Sequence, residues 1–116
     1  MKGNFYYGAI WIVDFDPSVG HEYQKQRPAI IIQSDEKIKK TNLITVMALT
    51  SNIKGKREDD ILIKKDHQNN LFSDSIAKVQ AIHAFDKSRF LKKMGEANNE
   101  TMKAIAEYLK QHFSLY

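Results

Sequence analysis

The sequence predicts a mainly β fold, a small barrel or strongly bent sheet, with a C-terminal helix. Three observations carry that prediction. Short apolar runs between Gly8 and Phe85 alternate in the manner of half-buried strands, irregular polar loops separate them, and from Asn98 the apolar spacing changes to that of a helix. Short strands with polar loops must bury a shared face, and a curled sheet does so economically.

In the first strand, Ala9, Trp11, Val13 and Phe15 alternate with Ile10, Ile12 and Asp14. A second, Pro28-Ala29-Ile30-Ile31-Ile32, follows a loop too long for a tight hairpin. Ser34 to Asn42 reads as a charged connector and Leu43 to Thr50 as a third strand. Ser51 to Lys56 is a basic, turn-rich loop, and Asp60 to Lys64 a short fourth strand with Ile61 and Ile63 on one face. Lys65 to Phe72 is a polar crossing. A fifth strand fits Ser75 to Phe85, with Ile76, Lys78, Gln80 and Ile82 on one face and Ala77, Val79, Ala81 and His83 on the other. Asp86 to Gly95 is expected to hold a helical turn, Phe90 and Leu91 inward and Gly95 ending it. The last element is an amphipathic helix: Met102, Ile105, Ala106, Leu109 and Phe113 form its apolar stripe, Asn98 or Asn99 caps it, and Glu100 suits the positive end of its dipole.

With 116 residues, the chain is expected to be a single domain, residues 1–116. Hydrophobic residues make up 42%, enough for a folded core, which excludes a disordered tail. There is no cysteine, so disulfides, thiolate metal sites and cysteine nucleophiles are excluded together, and a reducing cytoplasm is the expected location. The N-terminal residues lack the apolar core of a signal peptide, and the longest apolar run, Ile44 to Leu49 broken by Thr45, is too short to span a bilayer. The formal charge is +4, with basic clusters at Lys37, Lys39 and Lys40, at Lys54, Lys56 and Arg57, and at Lys64 and Lys65. Such clusters can steer a polyanion, although for lysines alone a solvated surface is the commoner reading.

The loop between the first two strands is the most informative stretch. It gathers Asp16, Pro17, Gly20, His21, Glu22, Gln24, Lys25, Gln26 and Arg27, the polar groups that a site for a charged ligand needs. Pro28 biases Arg27 towards an extended backbone, so its guanidinium is presented from a strand. Taken alone, Arg27 has two readings, a phosphate ligand or a partner for Glu22 or Asp16. Thr50 likewise reads as an ordinary strand-end residue in a Thr-Ser-Asn turn. Asp14, Asp16, His21 and Glu22 crowd one loop without a recognisable ligand spacing, so no metal and no cofactor is expected.

The ordered set of blocks resembles the MazF/PemK family of toxins from toxin–antitoxin systems. Gly8-Ala9-Ile10-Trp11-Ile12-Val13-Asp14-Phe15-Asp16-Pro17, Gly20-His21-Glu22 and Arg27-Pro28-Ala29 carry the first part of the resemblance. Leu49-Thr50-Ser51-Asn52, Asp74-Ser75-Ile76 and Phe85-Asp86-Lys87-Ser88-Arg89 extend it along nearly the whole chain. The resemblance implies an SH3-like barrel of the PemK/CcdB type and a homodimer. It also implies a metal-independent endoribonuclease acting on single-stranded RNA at short motifs, neutralised by a cognate antitoxin. Carried over by position, Arg27 and Thr50 are the catalytic pair, with Glu22 a third candidate. His21, Gln24, Ser51, Asn52, Lys54, Lys56 and Gln80 are the expected RNA-binding set. The chain departs from the family pattern at His21, at Tyr23 and at Ala81, where the family has an RNA-contacting glutamine that here stands one place earlier as Gln80.

Metal-free RNA cleavage needs a base for the 2′-hydroxyl, an acid for the leaving 5′-oxygen, and donors for the charge growing on phosphorus oxygens. Arg27 supplies a permanently charged fork matched to phosphate, and is too weak a base to take a proton. Thr50 can donate its hydroxyl, and His21 or Glu22 can serve as base. Two other classes fit the same fold: a CcdB-like toxin that binds a DNA topoisomerase and cleaves nothing, and a non-catalytic SH3-like binding module.

Overall fold

The computed structural model describes residues 4–16 and 26–115. The strands β1 (Ala9–Asp14), β2 (Gln26–Ile31), β3 (Leu43–Thr50), β4 (Ile61–Ile63), β5 (Ser75–Asp86) and β6 (Phe90–Glu96) form one antiparallel sheet in the order β4-β5-β3-β2-β1-β6. The sheet curls into a half-barrel. Two helices accompany it, the single turn α1 (Asp35–Ile38) and the C-terminal α2 (Asn99–His112). The mainly β class with a terminal helix is the one the sequence predicts.

Both faces of the sheet are buried, and the strand alternation distributes side chains between two cores. Trp11, Val13, Ala29, Ile31, Ile44, Val46 and Ala48 meet inside the curl, whereas Ile10, Ile30, Met47 and Leu49 point to the other side. There they meet Met102 and Ile105 of α2. An aromatic cluster closes part of the inner core: Phe5 stacks on Trp11 at 4.7 Å between centroids, and Phe90 meets both rings edge-on. Asn98 caps α2, its side-chain oxygen accepting from the Thr101 N–H at 2.8 Å. The predicted stripe is inward through Met102 and Ile105, but Phe113 lies past the helix end and is exposed.

Three expectations are corrected. The connector after β2 contains the helical turn α1, capped by Ser34 and burying Ile38; a four-residue element with one apolar position leaves too little periodicity to read. The helical turn expected after Asp86 is confined to Lys87–Arg89, and the chain then forms β6, with Phe90 buried and Leu91 exposed. Lysines 92 and 93 and two register irregularities against β1 hide that edge strand. Gly95 ends no helix. It lies within β6 where a Cβ would stand 2.3 Å from the Gln68 carbonyl oxygen, so a neighbouring crossing packs directly on its backbone.

The third correction concerns β5. A bulge sets Met47 to Leu49 of β3 against the longer stretch Ala77 to Ile82, so strict alternation fails there. Ala77 and Val79 face the helix-side core, Ala81 the inner core and Ile82 the helix side again.

Candidate active site

Arg27 and Thr50 are brought together by strand register. Ala29 pairs with Ala48, the last pair of the β2–β3 ladder, so Arg27 and Thr50 each lie two residues beyond it at the same end of the two strands. Pro28 holds the approach extended, and Arg27 Nη1 donates to the Leu49 carbonyl at 3.3 Å, which aims the guanidinium along the end of β3. Both side chains are half-buried. Thr50 Oγ1 accepts from the Asn52 N–H at 3.2 Å, fixing the turn that follows and leaving its own O–H to donate.

These residues line a cavity of about 290 Å³ together with Ser51, Asn52 and a wall formed by Leu71, Phe72, Ser73 and Ser75. Among the described residues, none that lines it is acidic. A guanidinium with hydroxyl and amide groups around it is an arrangement suited to an anion.

The wall residues Leu71, Phe72, Ser73 and Ser75 were not among the expected site residues. Their signal was the Leu71-Phe72 pair, the one apolar step in an otherwise polar crossing that runs directly into Ser73-Asp74-Ser75. The crossing is held firmly. Asn69, 2% exposed, accepts from the N–H groups of Asp66 and Leu71 and donates to the Lys64 carbonyl. Asn70 occupies the left-handed region at φ 53° and donates to the Met94 carbonyl at 2.8 Å.

The other candidates separate into groups. His21, Glu22 and Gln24 lie outside the described residues. Ser51 and Asn52 line the cavity. Lys54 and Lys56 sit on or beside the exposed 3₁₀ turn Ile53–Gly55 that follows. Gln80 does not reach the Arg27 cavity; it lines a second one, of about 440 Å³, with Arg57, Asp60 and Lys78. The β5 bulge turns Gln80 towards Tyr108 of α2, and the neighbouring Ala81 to the inner core.

The second cavity is organised around Asp60. Burial opposes its ionisation, but the Lys78 ammonium at 2.9 Å and the N–H groups of Arg57 and Val79 outweigh that and hold its carboxyl below the ordinary value. Arg89, from the block after β5, has a structural task near the first site: its guanidinium donates to the carbonyls of Asp14, at 3.2 Å, and of Asp16. It thereby secures the end of β1 where the chain enters the polar loop.

A curled antiparallel sheet with a C-terminal helix, carrying an arginine and a threonine at paired strand ends, defines the toxin class that the residue blocks resemble. The chain belongs to the family of PemK-like, MazF-like toxins of type II toxin–antitoxin systems, whose family model matches residues 6–113. It is 32% identical over 114 residues to Endoribonuclease MazF9 of Mycobacterium tuberculosis, covering 94% of this chain and 96% of that protein. It is 30% identical over 99 residues to Endoribonuclease MazF of Staphylococcus saprophyticus, covering 84% of this chain and 82% of that one. Among solved structures, the fold matches MazF from Deinococcus radiodurans with a TM-score of 0.79 at 20% identity, covering 98% of this chain and 100% of that one. It also matches a mycobacterial endoribonuclease in complex with its cognate antitoxin, TM-score 0.74 at 14% identity, covering 99% of this chain and 98% of that one.

Proposed function

We propose that this chain is the toxin of a type II pair and a metal-independent endoribonuclease, cleaving single-stranded RNA at short sequence motifs with Arg27 and Thr50. The observation that carries the reading is the cavity that Arg27 and Thr50 line together, with Ser51 and Asn52 beside them. The names of the relatives support the same class. In the reaction the 2′-oxygen bonds to phosphorus as its proton passes to a base. The bond to the 5′-oxygen breaks and that oxygen takes up a proton, leaving a 2′,3′-cyclic phosphate, or its 3′-phosphate hydrolysis product, and a 5′-hydroxyl. Arg27 meets the charge on the non-bridging oxygens with a bidentate fork, and Thr50 adds one neutral donor. His21 or Glu22, in the loop that Arg27 ends, supplies the base.

The protein acts as a single toxin domain, as a homodimer in the cytoplasm, and a cognate antitoxin silences it by covering the basic edge around the cavity. Among the described residues no helix is long and apolar enough to cross a membrane. The test is incubation of the purified protein with a long RNA in chelator, followed by mapping of sites and end groups. Cleavage at a short motif is expected, with cyclic or 3′-phosphate and 5′-hydroxyl ends, and it should vanish when the scissile nucleotide is 2′-deoxy. Cleavage that survives that substitution, or that requires added magnesium, contradicts the mechanism. An intact RNA contradicts the activity and returns the topoisomerase-binding and binding-module readings.

A further inference from the structure

We infer that Phe72 is the platform on which a base of the bound RNA stacks, beside the phosphate held by Arg27 and Thr50. The inference rests on the endoribonuclease reading above and adds a substrate-positioning residue to it. Phe72 lines the same cavity as Arg27, yet the residue is 81% exposed, more than any other large hydrophobic residue among those described. Scattered exposed apolar residues are ordinary on any protein surface. Two features set this one apart.

The first is rigidity. Leu71 is buried on its N-terminal side, behind the Asn69 and Asn70 hydrogen bonds, and the crossing rests against the backbone of Gly95. On its C-terminal side the Lys65 N–H donates to Asp74 Oδ1 at 3.0 Å, and Ser75 Oγ donates to the Ser73 carbonyl at 3.0 Å. The ring is therefore offered from a segment clamped at both ends, and little backbone freedom is given up when a ligand meets it.

The second is its neighbourhood. Elsewhere in the fold the aromatic rings are consumed by one another: Phe5, Trp11 and Phe90 form one group, and Phe15, His83 and Phe85 another. Among the described residues no ring or cation is stacked on Phe72. An aromatic face next to a cationic groove is how proteins hold single-stranded nucleic acid: the cation takes the phosphate and the ring takes the adjoining base. A base has a π-face whatever its identity, so Phe72 contributes affinity and register, and leaves motif selection to groups that touch base edges.

The test uses an oligonucleotide centred on a mapped cleavage site, made uncleavable by 2′-deoxy substitution at the scissile nucleotide and then scanned with abasic nucleotides. For wild type, removing one base next to the scissile phosphate should weaken binding about 10-fold. Phe72→Ala should show the same loss with the intact oligonucleotide and no further loss with that abasic one, since the partner is already gone. Phe72→Tyr should retain affinity, Phe72→Leu should not, and the melting temperature should be unchanged in all three. Cleavage by wild type with Phe72→Ala binding every oligonucleotide equally well would overturn the platform and leave the nuclease standing. A wild type that neither binds nor cleaves RNA would overturn both. Unchanged RNA binding accompanied by a lower light-scattering mass would assign Phe72 to a protein interface and overturn the platform.

Discussion

The two cavities differ in what lines them. Around Asp60 the charges answer each other: the carboxylate, nearly buried, takes the Lys78 ammonium and two backbone N–H groups. Around Arg27 the described lining is mainly hydroxyl, amide and apolar, with Thr50, Ser51, Asn52 and Phe72 among its residues. The larger cavity thus holds a brace between the start of β4 and β5, and the smaller one is the site we propose. Volume does not choose between them; the chemistry of the lining does.

The contrast can be broken most forcefully at the wall of the site. Gly95→Ala drives a methyl group into the backbone of Gln68 and Asn69, and should cost about 3 kcal/mol of stability while displacing the crossing that carries Phe72. Denaturant unfolding measures the first effect and RNA affinity of the remaining folded protein the second. Next in size, Asp60→Ala strands the half-buried Lys78 and frees two N–H groups, and should cost about 2 kcal/mol. Its RNA cleavage per folded molecule should match wild type. Because the Asp60 carboxyl is held below its ordinary value in the fold, its contribution is complete above the unfolded value. It fades as pH falls through the lowered one, so wild type should lose stability in acid below about pH 4, and Asp60→Ala should lose less.

How much of this was legible in the sequence follows the same division. β1 alternates and β2 and β3 are short apolar runs bounded by polar loops, so the strands were legible, but Arg27 and Thr50 were singled out together only by the ordered set of residue blocks. β6 was not legible, because an edge strand carrying Lys92, Lys93 and Gly95 lacks the pattern that announces a strand. The bulge in β5 was equally silent. It depends on how many residues of β3 stand opposite, and it moves Gln80 into the cavity around Asp60. Phe72 joins the site through a fold of residues 66–71 against Gly95, where distant segments meet with no local trace beyond one apolar pair.

Smaller effects sharpen the contrast. Thr50→Ala removes one neutral donor and should raise the cleavage barrier by about 1–3 kcal/mol with folding intact, apart from a loosened turn at Asn52. Single-turnover rates on the mapped RNA measure it. Neutralising Lys54, Lys56 and Arg57, all exposed on the chain that leaves Thr50, should weaken RNA binding and flatten its salt dependence, the slope falling by about 0.7 for each phosphate that is no longer neutralised. An unchanged slope would remove that loop from the RNA path.

The division of labour between the two cavities is tested most directly by one paired measurement: single-turnover RNA cleavage by Arg27→Lys and by Asp60→Asn, each with its unfolding curve. Lysine keeps the charge and loses the bidentate fork, so Arg27→Lys should keep wild-type stability and much of the RNA affinity while cleaving about 10²- to 10³-fold more slowly. Asp60→Asn should be the mirror image, less stable and catalytically whole. A folded Arg27→Lys that cleaves at the wild-type rate, or an Asp60→Asn that is stable and inactive, would contradict the placement of the chemistry at Arg27 and Thr50.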